Sequence, residues 1–506
     1  MTHFHRGALA SIRTILGLFC ALAVAPAQNL AEFEKKITEF DLPNGMHFIV
    51  LERHDAPVVS FHMLVNAGSV DDPGGKSGLA HMFEHMIGKG TMTVGTRNWE
   101  AERKAMADVE IAYDKLEAER AKGPKAEKAA LVRLEGELQA LLGQAASFVD
   151  QNAFVRVIEE NGGAGFNAGT AKDITTYFYS LPSNRAELWF LLQSDWLRKP
   201  IFREFYKERA VVMEERQMRV DSNPGGQLQE ALMGTAFLAH PYRNLLGWAT
   251  DITNLRVADA EAFHKTYYVP GNITVAIAGD ISGGDAKTMA TKYFGAIPAG
   301  PLPPRVATVE PAQAGEKRVA IESDSQPLVM IAYKRPSDQH PDDPVLDVVA
   351  SILSSGRTGL LYRELVRDKK VALEAQAGAT TPGSRYPNLF VIFAAPNAGK
   401  TVEENEKAVF EIVDRLKARE VDGATLDRVK TQVRAGLIRS LDSNSGLAES
   451  LASHHATYGD WRKLFTGIAD IEKVTAGDVQ RVMNAYFGAA NRTVAYITAK
   501  SKEAGK

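Results

Sequence analysis

Asp251–Ala276 reads DITNLRVADAEAFHKTYYVPGNITVA, and Asp470–Ala495 reads DIEKVTAGDVQRVMNAYFGAANRTVA. Set at a constant offset of 219 positions, the two stretches share 8 of 26 residues without a gap. Asp251, Ile252, Asp259, Tyr267, Asn272, Thr274, Val275 and Ala276 recur as Asp470, Ile471, Asp478, Tyr486, Asn491, Thr493, Val494 and Ala495. Each copy has apolar residues at helical spacing and then a short β-branched run, which predicts an amphipathic helix followed by a strand. A repeat of this length implies a duplicated unit, hence an α+β fold of two homologous domains in tandem. The prolines support the division. Pro298–Pro311 (PAGPLPPRVATVEP) holds five in fourteen residues and is the best linker candidate. The expected organisation is a first domain over 28–300, a linker over 301–317 and a second domain over 318–506.

The rest of the first half fits that plan. Phe40–Val50 predicts strand, Asn44-Gly45 turn and strand, Val58–Val65 another strand, and Leu79–Ile87 the beginning of a helix. From Asn98 to Ala146 the chain becomes rich in Ala, Glu, Lys and Leu, broken by Gly123-Pro124. That pattern predicts an inserted helical hairpin with a solvated, charged surface.

The 506 residues are 45% hydrophobic and 24% charged, as in ordinary globular proteins. Lys+Arg 59 against Asp+Glu 62 leaves no basic excess for a nucleic-acid backbone. The single cysteine, Cys20, excludes a disulfide framework and a thiolate zinc site. Arg6 and Arg13 precede an apolar run from Ile15 to Val24, followed by Ala25-Pro26-Ala27. This is the layout of a signal peptide over residues 1–27. The run is short for a membrane anchor, which needs about 20 apolar residues. The expected product is an exported chain, periplasmic or secreted, with no membrane span.

The sharpest chemical motif is His81-Met82-Phe83-Glu84-His85. Positions i and i+4 share one helix face, so both imidazoles can reach one cation, with Glu84 close by. Zinc accepts imidazole and keeps a position open for water, and a nearby carboxylate can take that water's proton. A third protein ligand is needed. Glu208 and Glu215 lie two turns apart in the helix predicted over Glu204–Val220, so Glu215 is a candidate ligand and Glu208 a supporting carboxylate. Spacing alone also fits a solvated face, and Glu214 leaves a one-residue ambiguity.

These residues resemble the pitrilysin/insulinase family of inverted-motif zinc metallopeptidases, in its short two-domain, processing-peptidase-like form. Leu42-Pro43-Asn44-Gly45, Ala67-Gly68-Ser69, Gly78-Leu79-Ala80-His81, Glu84-His85-Met86 and Lys89-Gly90-Thr91 match its opening block. Gly162-Gly163, Asn167-Ala168, Thr176-Tyr177, Glu208 to Glu215, His240-Pro241-Tyr242 and Ser354–Leu365 match further on. The resemblance implies two tandem α/β-sandwich domains, one Zn2+ per chain on His81, His85 and Glu215, and catalytic roles for Glu84 as general base and Glu208 in support. It also implies peptide binding along an edge strand at Gly165, Asn167 and Ala168. Two departures stand out. The 130 positions from His85 to Glu215 exceed the family's gap by about the length of the helical insert. The Arg and Tyr that steady substrate in active members fall, in the best register, on Val366 and Leu373. The expected assembly is therefore a heterodimer with a homologous, metal-free subunit that supplies the pair, with a homodimer as the alternative. A non-catalytic assembly subunit is the competing reading.

Overall fold

The computed structural model describes residues 33–498 together with Leu30, so residues 1–27, expected to be a signal peptide, lie outside the described residues. Strands β1 (Ile37–Asp41), β2 (His47–Glu52), β3 (Val58–Val65), β4 (Ala164–Thr170), β5 (Thr175–Pro182) and β6 (Ile273–Gly279) form one sheet in the order β1-β2-β6-β3-β5-β4. Strands β7 (Lys317–Glu322), β8 (Val329–Arg335), β9 (Ala372–Thr381), β10 (Asn388–Pro396) and β11 (Arg492–Thr498) form a second, in the order β7-β11-β8-β10-β9. Without β1 the two orders correspond strand for strand. In each the pair β2/β6 or β7/β11 is parallel and the rest antiparallel.

Between β3 and β4 lie α1 (Leu79–Glu84) and a hairpin of α2 (Trp99–Arg120) and α3 (Lys128–Ala146). Between β5 and β6 lie α4 (Ala186–Arg198), α5 (Phe205–Arg216), α6 (Pro224–Ala236) and α7 (Val257–Tyr267). In the second half, α8 (Asn444–Tyr458) and α9 (Ala476–Tyr486) answer to α6 and α7. The helix–strand units α7–β6 and α9–β11 have the same bounds at the offset read from the sequence. The repeated residues make repeated bonds. Asn272 Nδ2 donates to Tyr267 O at 3.0 Å and Asn491 Nδ2 to Tyr486 O at 2.7 Å. Asp259 Oδ2 accepts from Arg256 N at 2.9 Å and Asp478 Oδ2 from Thr475 N at 3.0 Å, each satisfying a donor at a helix start.

Both faces of each sheet are covered. One face of the first sheet carries Phe48, Val50, Phe61, Met63, Tyr177 and Val275 under its own helices, with Trp189 and Trp196 of α4. The opposite face presents Ile49, Leu51, Leu64, Ala276 and Ala278 to Leu447, Ala448, Leu451 and Ala452 of α8 from the second half. Reciprocally, Ala332, Leu389, Ala495 and Ile497 of the second sheet pack on Leu228, Leu232, Met233 and Ala236 of α6 from the first half. Two-sided burial explains why β6 is buried at every position and reads as an apolar run without alternation.

Two expectations need adjustment. The helix expected from Leu79 toward Ile87 stops at Glu84, with His85 as its C-cap, and a 3-10 turn (Ile87–Lys89) follows, ending at Gly90 with φ +84°. The inserted hairpin is also more than a solvated arm. Ala105, Val109, Tyr113 and Leu116 of α2 pack with Leu134 and Leu138 of α3, and Tyr113 stacks on Tyr206 of α5 at 4.5 Å. Tyr206 donates to Glu110 at 2.8 Å, and Arg256 reaches Asp114 at 2.9 Å. The alternating charges in the sequence report the outer face; the inner face docks on the helix that carries Glu208 and Glu215. Among the described residues no helix is long and apolar enough to cross a membrane.

Candidate metal centre

The short helix α1 is held from its first turn. Asp72 accepts from Gly78 N at 2.7 Å and Ala80 N at 2.8 Å, and Asp251 accepts from Ser77 Oγ at 2.6 Å. Burial pushes the Asp72 carboxyl up to about 7 in spite of these bonds. Gly78 takes φ +92° at the N-cap, and a Cβ there would lie 2.8 Å from Ile252 Cγ1, so only glycine fits the turn. Beyond α1, Arg203 donates to the carbonyls of Lys89, Thr91 and Val94 and pairs with Glu102 at 2.7 Å, with 1% and 0% of the two side chains exposed. The loop after α1 is thereby tied to the inserted hairpin.

On this frame His81 and His85 turn their rings 81° apart, with the two Nε2 atoms 3.3 Å from each other. Glu215, near the end of α5, places Oε2 3.6 Å from His81 Nε2 and Oε1 3.6 Å from His85 Nε2. Glu214 beside it is exposed. A tetrahedral zinc ion with bonds of about 2.0–2.1 Å separates its ligands by about 3.3–3.4 Å, so the three donors fit one such ion. Burial, with His85 and Arg219 nearby, pushes His81 down to about 3 and keeps it neutral, the form that ligates. For His85 burial opposes the charge, but Glu208, Glu215 and Glu84 outweigh it and raise its pKa. Glu208 Oε2 lies 3.4 Å from His85 Nδ1, and Glu208 Oε1 accepts from Lys89 Nζ at 2.5 Å. Burial would raise Glu208, but His85 and Lys89 hold it below the usual glutamate range. This is the arrangement in which a carboxylate fixes the tautomer and orientation of an imidazole ligand.

Glu84 lies beside Thr170 of β4; burial raises its carboxyl, and the Thr170 hydroxyl partly offsets that. His81, Glu84, His85, Glu215 and Arg219 line one cavity of about 470 Å³ with Asn167 and Ala168. Strand β4 is the outer strand of its sheet, with a bulge between Ala164 and Asn167 and Gly165 at φ +69°. Gly165 does not line the cavity; Phe166 to Thr170 do.

Sequence reasoning left out Asp72, Lys89, Arg203 and Arg219. Lys89 stood in a quoted motif without a role, and Arg203 had no local signal, since its partners are distant in the chain. Asp72 and Arg219 bond close by, to Gly78 and Ala80 and to Glu215 at i−4, so a helix-start carboxylate and an i,i+4 pair were the signals that could have found them. His264, read as core, donates from Nε2 to Leu197 O at 2.8 Å and stacks on Phe83. His454 and His455 diverge as adjacent helical residues should, but His455 stacks on His47 at 3.9 Å, near Glu39. Those rings are 11° from parallel, so their in-plane lone pairs do not converge on one point, and no ligand role is assigned. Val366 is half-buried against the second core and Leu373 is 61% exposed. Neither can do what an arginine or tyrosine would.

Two like α+β halves, with a His-x-x-Glu-His helix and a distant glutamate converging in the first, define a metallopeptidase-type protein. A family profile described as "Insulinase (Peptidase family M16)" matches residues 48–111 and 140–247, interrupted within the α2–α3 hairpin, and "Peptidase M16 inactive domain" matches residues 254–433. The chain belongs to the insulinase family, peptidase family M16. It is 26% identical over 514 residues to the zinc protease PqqE of Helicobacter pylori, covering 98% of this chain and 100% of that protein. It is 24% identical over 459 residues to a probable mitochondrial-processing peptidase subunit beta of Arabidopsis thaliana, covering 88% of this chain and 75% of that protein. Among solved structures, a protease from Helicobacter pylori superposes with TM-score 0.76 at 25% identity, over 92% of this chain and 99% of that chain.

Proposed function

We propose that this chain is a zinc-dependent endopeptidase whose ligands are His81, His85 and Glu215. The observation that carries the reading is the meeting of three side chains, with the two imidazole nitrogens 3.3 Å apart and each 3.6 Å from an oxygen of the Glu215 carboxylate, beside Glu84 and an open strand edge. Zinc bound there would supply a Lewis acid that polarises the scissile carbonyl and acidifies water. Glu84 accepts a proton from the attacking water and returns it to the leaving amine. Glu208, braced by Lys89, holds the His85 ring in place. An extended peptide adds to β4 through main-chain hydrogen bonds at Asn167 and Ala168, which reads backbone more than sequence. The signal-peptide layout of residues 1–27 supports an exported chain that acts outside the cytoplasm. Val366 and Leu373, at the positions where the family resemblance implies an Arg and a Tyr, support a heterodimer in which a metal-free homologue supplies both.

The test is Glu84→Gln, assayed with and without that homologue. The variant should keep one zinc per chain by elemental analysis and lose peptide hydrolysis. Hydrolysis at the wild-type rate would overturn the general-base role. Zinc-loaded wild-type chain that stays inactive even with the homologue would leave a binding or assembly subunit.

A further inference from the structure

Two arginines follow Glu215 in close succession, and their environments differ. Arg216 is 6% exposed and spent on structure: it pairs with Glu230 at 2.9 Å and donates to Gly247 O. Arg219 sits in the π-helical turn Gln217–Asp221, with 56% of its side chain exposed. The wide turn sets it one step past Glu215 on the same side. Its Nη2 lies 3.1 Å from Glu215 Oε2. Among the described residues that line the metal-centre cavity it is the one lysine or arginine. The other charged groups there are the carboxylates of Glu84 and Glu215, and the walls include apolar Phe166, Ala168, Leu245 and Leu246. A guanidinium carries five N–H donors in a rigid fork, so one carboxylate oxygen does not saturate it. When Glu215 shares its charge with a bound cation, the fork keeps donors free for a further anion, and the one carboxylate it pairs with in the cavity is Glu215 itself.

We infer that Arg219 selects substrates with an acidic side chain next to the scissile bond, which it grips as a carboxylate. This rests on the peptidase reading and deepens it: β4 takes the backbone without regard to sequence, and Arg219 adds a charge requirement. A charge-assisted bond of this kind separates Glu from Gln at that position by about tenfold or more.

The experiment measures binding as well as turnover. Peptides that differ only by Glu, Gln or Lys at each position around the cleaved bond are titrated into the zinc-loaded Glu84→Gln chain, and kcat/KM is measured with the wild type. At one position the Glu peptide should exceed the Gln peptide by about tenfold, with the ratio shrinking in high salt. Arg219→Gln should bring that ratio to about 1, Arg219→Lys should keep part of it, and Arg219→Glu should favour the Lys peptide. Zinc content is measured for each variant. A purely structural role at Glu215 would change zinc content and leave the peptide ratio unmoved. A wild-type ratio near 1 at every position, or a ratio unchanged in Arg219→Gln, overturns the inference. Because the binding arm needs no hydrolysis, failure of the peptidase reading shows separately as absent turnover.

Discussion

Glu310, in the proline-rich connection between the halves, offers a perturbation whose size follows from geometry. Its carboxylate accepts from the backbone N–H groups of Leu238, Ala239 and His240 at 2.8, 2.9 and 3.0 Å, and from Lys334 Nζ at 2.7 Å. Burial opposes the charge, but these four donors outweigh it and bring the carboxyl from 4.5 down to about 2. Linkage converts that difference to about 3 kcal/mol of stability at neutral pH, and partial solvent screening lowers it to about 2 kcal/mol. Glu310→Gln removes the charge and turns an NH2 group toward donors. The folded-state pKa is depressed, so the contribution is complete above about pH 5 and is lost as pH falls toward about 2. Thermal denaturation followed by circular dichroism, with both proteins side by side from pH 7 to pH 3, reads it. The variant should melt a few degrees lower at pH 7, with the gap more than half closed by about pH 3. A gap that stays constant across that range, or is absent at pH 7, refutes the argument.

Glu208→Gln should weaken zinc binding by about 10–100-fold in a chelator competition, because the amide cannot hold the His85 tautomer as a carboxylate does; unchanged affinity would remove Glu208 from the site. Glu102→Ala leaves the Arg203 guanidinium buried without its counter-charge and should cost about 3–5 kcal/mol in a denaturation experiment. Glu102→Leu combined with Arg203→Met should be less damaging than the single change, and a single-variant loss under about 1 kcal/mol would show that the buried pair does not hold the loop.

The repeat made the architecture legible because its identities are local: Asn272 and Asn491 bond to a carbonyl five residues back, and Asp259 and Asp478 cap their own helices. The histidine pair was legible for the same reason, since i and i+4 meet whatever the rest of the fold does. Glu215 required more than spacing, because its approach depends on α5 crossing α1. The crossing of α6 and α8 between halves was not legible at all. Leu228 and Leu232, like Leu447 and Leu451, read as ordinary apolar positions, and nothing in helical periodicity says which sheet such a face will meet. The docking of the insert through Tyr113 and Tyr206 was hidden likewise, being a contact between helices far apart in the chain.

The traded helices also constrain how this chain can be cut or have arisen. Proteolysis within 298–316 should nick the polypeptide without releasing either lobe, and a lobe made alone would leave a bare apolar sheet face and a bare leucine-bearing helix to aggregate. A single-unit ancestor would have met the same difficulty, and a twofold dimer lending the same helix from each copy to the other resolves it. Gene fusion would then only have had to bridge a pair already locked arm in arm.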